Sequence, residues 1–321
     1  MKTPDPLPAR VAQASGLGRS RQPVARATSS ASALLLVLWA LVVLSAAVFT
    51  WVAMIHGDLE IHSEANRDVE ARAMAHSGLA VALHPLVTIK TPLLEEDVAA
   101  DLGYKVRIMS EGGRLNINWL LRGEDPRKLV ILKQWLENRG LEFQDRETLV
   151  DCLLDYVDGD NLKRLNGQED EGDYHPPNRE LTSVDEIAEV PNSGPLVSQA
   201  GWKDGLTIDS QGPIDLIAAS AETMRLLPGL GEARIAAFLT YRQGKDGLDG
   251  TIDDPEFKNL KEIQSFLGLS DTQFKELGGL VMLKDPTMHI ISEGRAGNAY
   301  RQLEVVVRKA GASPQILSWK E

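Results

Sequence analysis

The sequence holds one cysteine, Cys152, so the chain closes no internal disulfide and builds no cysteine-based zinc site. Cys152 lies among Leu149, Val150, Leu153 and Leu154 and reads as a small core residue of a helix. Catalytic signatures are missing as well. The six histidines (His56, His62, His76, His84, His175 and His289) form no HExxH pair, and there is no GxSxG elbow and no Walker loop. Scattered carboxylates without a partner constellation make no acid–base pair, so the chain reads as a non-enzyme. Positive charge is also scarce: 34 Lys and Arg stand against 46 Asp and Glu, a net charge of -12. A polyanion repels a polyanion, which argues against nucleic acid as a partner.

One local absence places the chain. No Asp, Glu, Lys or Arg occurs from Ala27 to Ile55, and Ala33–Ile55 is strongly apolar. At ~1.5 Å per residue such a helix covers a hydrocarbon core of ~30 Å. Lys2, Arg10, Arg19, Arg21 and Arg26 precede it, with Asp5 opposing, and Asp58, Glu60, Glu64, Asp68 and Glu70 follow. The positive-inside rule then puts the N-terminus in the cytoplasm and the bulk of the chain on the far side of a single-pass membrane anchor. A secretory signal peptide would carry an apolar region of only ~7–15 residues. No proline occurs between Val24 and Pro85, and Ala65, Val69, Ala73, Met74 and Leu79 keep roughly helical spacing. The pattern predicts one helix of about fifty residues, half in lipid and half outside.

Over the whole chain, 43% apolar and 25% charged residues are ordinary for a globular protein. Tyr104–Ser110 alternates like a strand, Glu111–Gly113 reads as a turn, and Arg114–Asn118 is expected to continue the hairpin. Lys128–Arg139 and Arg146–Val157 read as helices, and Ser183 with Glu186 reads as a capping box. Met288–Ser292, Leu303–Arg308 and Gln315–Trp319 read as strands. Strands early and late around a helical middle predict an α+β domain interrupted by a helical insertion.

Two acidic segments carry metal-ligating chemistry. Segment 151–180 holds Asp155, Asp158, Asp160, Glu169 and Asp173, and Lys245–Phe257 packs Asp246, Asp249, Asp253 and Asp254 among glycines. Calcium takes six to eight oxygens from carboxylates and carbonyls on a flexible loop. Asp158, Asp160 and Glu169 fit positions 1, 3 and 12 of an EF-hand, but Leu162 and Lys163 stand where a ligand and glycine belong, so this is no EF-hand. Close carboxylates repel unless a cation lies between them, and the plain alternative for both segments is solvated charge. Leu226–Arg242 reads as a helix-hairpin-helix around Pro228-Gly229-Leu230-Gly231. Amides at its turn suit phosphate, but the acidic surroundings favour a structural hairpin packed by Leu227, Leu230, Ile235, Ala236 and Leu239.

Several segments together resemble the type IV pilin superfamily, and most closely the general secretion pathway protein K family, the large minor pseudopilin of type II secretion. They are Ser32–Val48, EGGRLNINWL (Glu111–Leu120), LLDYVDGD with NGQE (Leu153–Asp160, Asn166–Glu169), NRELTSVDEI (Asn178–Ile187), Leu226–Arg242 and Gln302–Glu321. The resemblance implies a basic leader at 1–31, a helix at 32–85, a pilin-like sheet domain at 86–120 and 286–321, and a helical insertion at 121–285. It implies cleavage between Ala31 and Ser32 by a prepilin peptidase, with Ala31 where the family usually has glycine. Most pilins carry glutamate at the fifth mature position; here that residue is Leu36, which fits a subunit with none above it. Further implications are an irregular calcium loop in segment 151–180, and other minor pseudopilins, the major pseudopilin and inner-membrane lipid as partners. The alternative is a minor pilin of a type IV pilus or DNA-uptake system whose hairpin touches DNA.

Overall fold

The computed structural model describes residues 28–309 and 313–321, with side chains at 33–56, 64–309 and 313–321. The leader through Ala27, and the side chains of Ala31 and Ser32, lie outside the described residues. Helix α1 runs from Thr28 to Leu83, 56 residues. Ala33–His56 within it has mean hydropathy 2.6 and none of it is buried within the protein. Those residues meet the length and composition of a membrane span.

From Ser63 onward the chain forms a second compact unit, with two cores. One lies between the end of α1 and a five-stranded antiparallel sheet. In chain order its strands are β1 (Glu95–Ala99), β2 (Leu102–Ser110), β7 (Thr287–Ala296), β8 (Ala299–Arg308) and β9 (Gln315–Lys320), which is also their order across the sheet. Along β2, Tyr104, Val106 and Ile108 are buried while Lys105, Arg107 and Met109 are exposed, the period-two signature of a sheet with one wet face. The helix covers the other face, the one carrying Tyr104, Val106 and Ile108, through Ala71, Ala75, Leu79 and Ala82, all buried. Ala65, Val69 and Ala73, which the sequence places on the helix's apolar spacing, are exposed. The stripe that packs is narrower and shifted because small side chains let helix and sheet approach. At the crossing, a Cβ on Gly294 would lie 2.0 Å from the Ala71 carbonyl oxygen and 2.3 Å from the Ala75 nitrogen. Ser292 Oγ donates to the Ala75 carbonyl at 2.7 Å.

Between β2 and β7 the chain leaves the sheet and builds the second, helical core. Its elements are β3 (Leu115–Asn116), α2 (Ile117–Leu121), α3 (Pro126–Asn138), α4 (Phe143–Val157), α5 (Gly194–Val197), β4 (Leu206–Thr207), β5 (Ile214–Asp215), α6 (Ala221–Arg225), α7 (Glu232–Arg242), α8 (Leu260–Phe266), α9 (Asp271–Glu276) and β6 (Val281–Met282). Three expectations fail here. Arg114–Asn118 does not continue the hairpin: Leu115 and Asn116 pair in parallel with Leu206 and Thr207, and Asn116 caps α2 by accepting from the Trp119 N–H. Ser183 does cap, accepting from the Asp185 N–H at 3.1 Å, but Glu186 accepts from the Thr182 N–H and hydroxyl, so the capping box is not formed. Leu227, Ile235 and Phe238 of the hairpin are buried and Leu230 and Leu239 half-buried, as packing requires. Ala236 is exposed, and Phe238 fills the core position in its place.

Candidate metal centre

The first acidic segment begins inside α4, whose apolar face (Leu149, Val150, Leu153, Leu154) is buried and fixes which way its acids point. Asp155 lies one position past that face and is fully buried; Cys152 on the same helix is buried too, as a core residue. The loop after α4 folds back so that the Arg164 N–H approaches the Asp155 carboxylate at 3.3–3.4 Å, and Asn166 donates to Asp151 through its N–H and side-chain amide. The backbone at Gly167 then lies directly against Asp155: a Cβ there would sit 1.9 Å from Oδ2. No side chain fits where the loop crosses the carboxylate.

This fold-back brings Asp155, Asp158 and Glu169 together, with a carboxylate oxygen of each within 4.8 Å of the others. Glu169 is only 5% exposed, and neither of its oxygens has a hydrogen-bond partner among the described residues. Burial, with Asp155, Asp158 and Asp160 nearby, raises its pKa above the ordinary carboxylate value. A buried, unpartnered carboxylate facing two others is what a hard cation would satisfy. The residues therefore fit calcium: three carboxylates at the core, with carbonyls or water to complete six to eight oxygens. Asp160 stands outside the three, exposed, with Oδ1 accepting from the Leu162 N–H at 2.8 Å. Asp173 is exposed and also outside the three.

Sequence reasoning missed the cation already present. Arg164 Nη1 donates to Asp155 Oδ1 at 2.6 Å and to Asp158 Oδ2 at 2.5 Å, and Nη2 to Glu124 Oε1 at 2.7 Å. Burial alone would lower the Arg164 pKa, but the bonds to Asp158, Asp155 and Glu124 hold it above its usual value.

The second loop is built differently. Asp246, Asp253 and Asp254 converge, but each is already bonded to the loop's own backbone. Asp253 accepts from the Lys245 and Asp246 N–H groups and the Thr251 hydroxyl, Asp254 from the Gly250 and Thr251 N–H groups, and Asp246 from the Leu248 N–H. These donors, the Thr251 hydroxyl first, bring the Asp253 pKa down to about 2. Asp249 is not in the group. It pairs with Arg242, whose buried guanidinium also donates to the Leu216 and Ala219 carbonyls. With its carboxylates satisfied by its own backbone and mostly exposed, this loop fits a cation less well than the first.

Residues 113–200 match the family model for "Type II secretion system (T2SS), protein K". No curated protein matches the chain. Among solved structures, a chain of the GspK-GspI-GspJ complex from the enterotoxigenic Escherichia coli type 2 secretion system is similar, with a TM-score of 0.54 and 12% identity. The match covers 83% of this chain and 98% of that one. The resemblance read from the sequence is borne out, and so is the α+β fold.

Proposed function

We propose that this chain, whose residues 113–200 match the type II secretion protein K family model, belongs to that family and is a minor pseudopilin that caps a periplasmic pseudopilus. The observation that carries the reading is the pairing of two unlike parts. A pilin-like helix-on-sheet unit is interrupted by a bulky helical insertion, and the family match begins where the chain leaves that sheet. A large insertion suits a terminal subunit, which needs room on one side only. Leu36 in place of the usual glutamate supports the same position, because a subunit with none above it has no terminal amine to neutralise in the membrane.

The apolar helix first stores the chain in the inner membrane, N-terminus inside, and after cleavage at Ala31–Ser32 it packs on partner helices through Ala40, Ser45, Ala46, Ala47 and Ala53. Other minor pseudopilins form the tip with it, the major pseudopilin forms the shaft, and extension of the shaft pushes folded cargo outward. The role is mechanical rather than catalytic, and calcium at Asp155, Asp158 and Glu169 stiffens the insertion.

The deciding experiment is the intact mass of the chain from native membranes, combined with its co-purification. A chain beginning at Ser32 that retains two partner minor pseudopilins is expected. A chain still beginning at Met1 and free of such partners would mean a static anchor, and the tip assignment would fall.

A further inference from the structure

The Asp155 and Asp158 oxygens that a calcium ion would need are engaged by a guanidinium. Arg164 neutralises one of three negative charges and leaves Glu169, 5% exposed, with both oxygens unpartnered among the described residues. The site thus holds a cation that fits two of its carboxylates and not the third. Guanidinium and calcium cannot share those oxygens, since two cations at contact distance repel.

Two neighbouring features give the guanidinium somewhere to go. A pocket of about 220 Å³ adjoins Arg164, lined by Leu121, Glu124, Leu154 and Glu180 among others. Three carboxylates, Glu124, Asp158 and Glu180, border the space into which the side chain would swing, the last of them already paired with Arg122. Glu124, which holds Nη2, also carries a backbone φ of +50°, a left-handed conformation that costs a non-glycine residue energy and persists only where contacts hold it.

We propose that Arg164 is an internal competitor for the metal centre: calcium enters by displacing its guanidinium from Asp155 and Asp158 into the adjoining pocket. The proposal rests on the calcium reading of this site. Without calcium, Arg164 latches the loop after α4 to the helix and to Glu124. With calcium, the ion takes over those carboxylates and gains Glu169, which the guanidinium does not reach. Apparent calcium affinity is then the intrinsic affinity reduced by the fraction of molecules in the latched state.

The test is calorimetric titration of chelator-stripped, full-length chain in detergent micelles with calcium chloride. A D253N/D254N background keeps the second loop from contributing. Arg164→Gln is expected to bind calcium about tenfold tighter or better, as loss of a resident competitor requires. Arg164→Lys keeps a cation for the fold but cannot span both carboxylates; it is expected to fall between wild type and R164Q. Affinity in both variants equal to or weaker than wild type overturns the competitor role and leaves the calcium reading standing. No binding in wild type or in either variant removes the calcium reading, and the competitor with it.

Discussion

At the scale of single residues, the first acidic loop makes a prediction with opposite signs in two conditions. Glu169 is buried beside two carboxylates and its pKa is raised, so its ionised form opposes folding at neutral pH. Glu169→Gln is therefore expected to raise the melting temperature in chelator, by about 2–4 °C per kcal/mol for a unit of this size. The same substitution should erase the stabilisation that added calcium gives wild type. Thermal unfolding by circular dichroism, with and without calcium, reads both effects, and a variant less stable than wild type in chelator would refute the account. Gly167→Ala should cost about 1–3 kcal/mol in either condition, because its Cβ would meet Asp155 Oδ2 at 1.9 Å; an unchanged denaturation midpoint would show that the loop yields freely. The carboxylates of this site were legible in the sequence as an acidic run. Arg164 was not, because nothing in local spacing says that the loop will return its guanidinium to α4. Asp249 was misread for the same reason: its partner Arg242 is seven residues away, across the end of a helix.

At the scale of elements, long periodic segments were legible and short ones were decided by tertiary pairing. The helix through the apolar stretch, the alternating β2 and the amphipathic α3 and α4 all follow from periods that a reader can count. Leu115–Asn116 is too short to carry a period. Its parallel pairing with Leu206–Thr207, some ninety residues on, is a long-range contact that no local rule supplies. The contact between α1 and the sheet depends on shape more than on hydrophobicity, which is why Val69 looked core-facing and is 66% exposed. That makes Gly294 a sharper probe than any large apolar residue nearby. Gly294→Val would drive a branched side chain into the helix backbone at Ala71 and Ala75 and lift the helix off the core formed by Leu79, Tyr104 and Val106. The expected result is loss of hydrogen-exchange protection across β2 and β7, with protection in α3 and α4 retained. Uniform loss across all four elements would mean that the two cores unfold as one.

At the scale of the whole described unit, the two cores are joined through buried polar groups where the chain leaves the sheet. Glu111, 2% exposed, contacts His289 Nδ1 at 3.0 Å and Arg114 Nη1 at 3.3 Å. The other side of the His289 ring meets Glu304 at 2.7 Å. Burial pushes the Glu111 carboxyl up, but the close contact with His289, the charge of Arg114 and the Thr207 hydroxyl outweigh it and leave its pKa below the usual 4.5. His289 and Glu304 belong to the sheet while Thr207 belongs to the insertion, so this one carboxylate spans the two. The sign follows from linkage. A carboxylate whose pKa is lower when folded contributes stability above its unfolded value of 4.5, and loses it as pH falls through the folded value. Glu111→Gln removes that contribution without removing volume. It should therefore be less stable than wild type at pH 7, by about 1–3 kcal/mol for a lost charged hydrogen bond in the interior. The gap should close as pH falls below 4.5, because wild type then protonates the same group. Asp215, also buried, shifts the other way, so the total stability of either protein is a poor readout. The difference between them cancels that background. Denaturation midpoints measured in parallel from pH 7 down to pH 3 give it directly, and a gap that stays constant over the range would show that Glu111 acts at the junction by shape and not by charge.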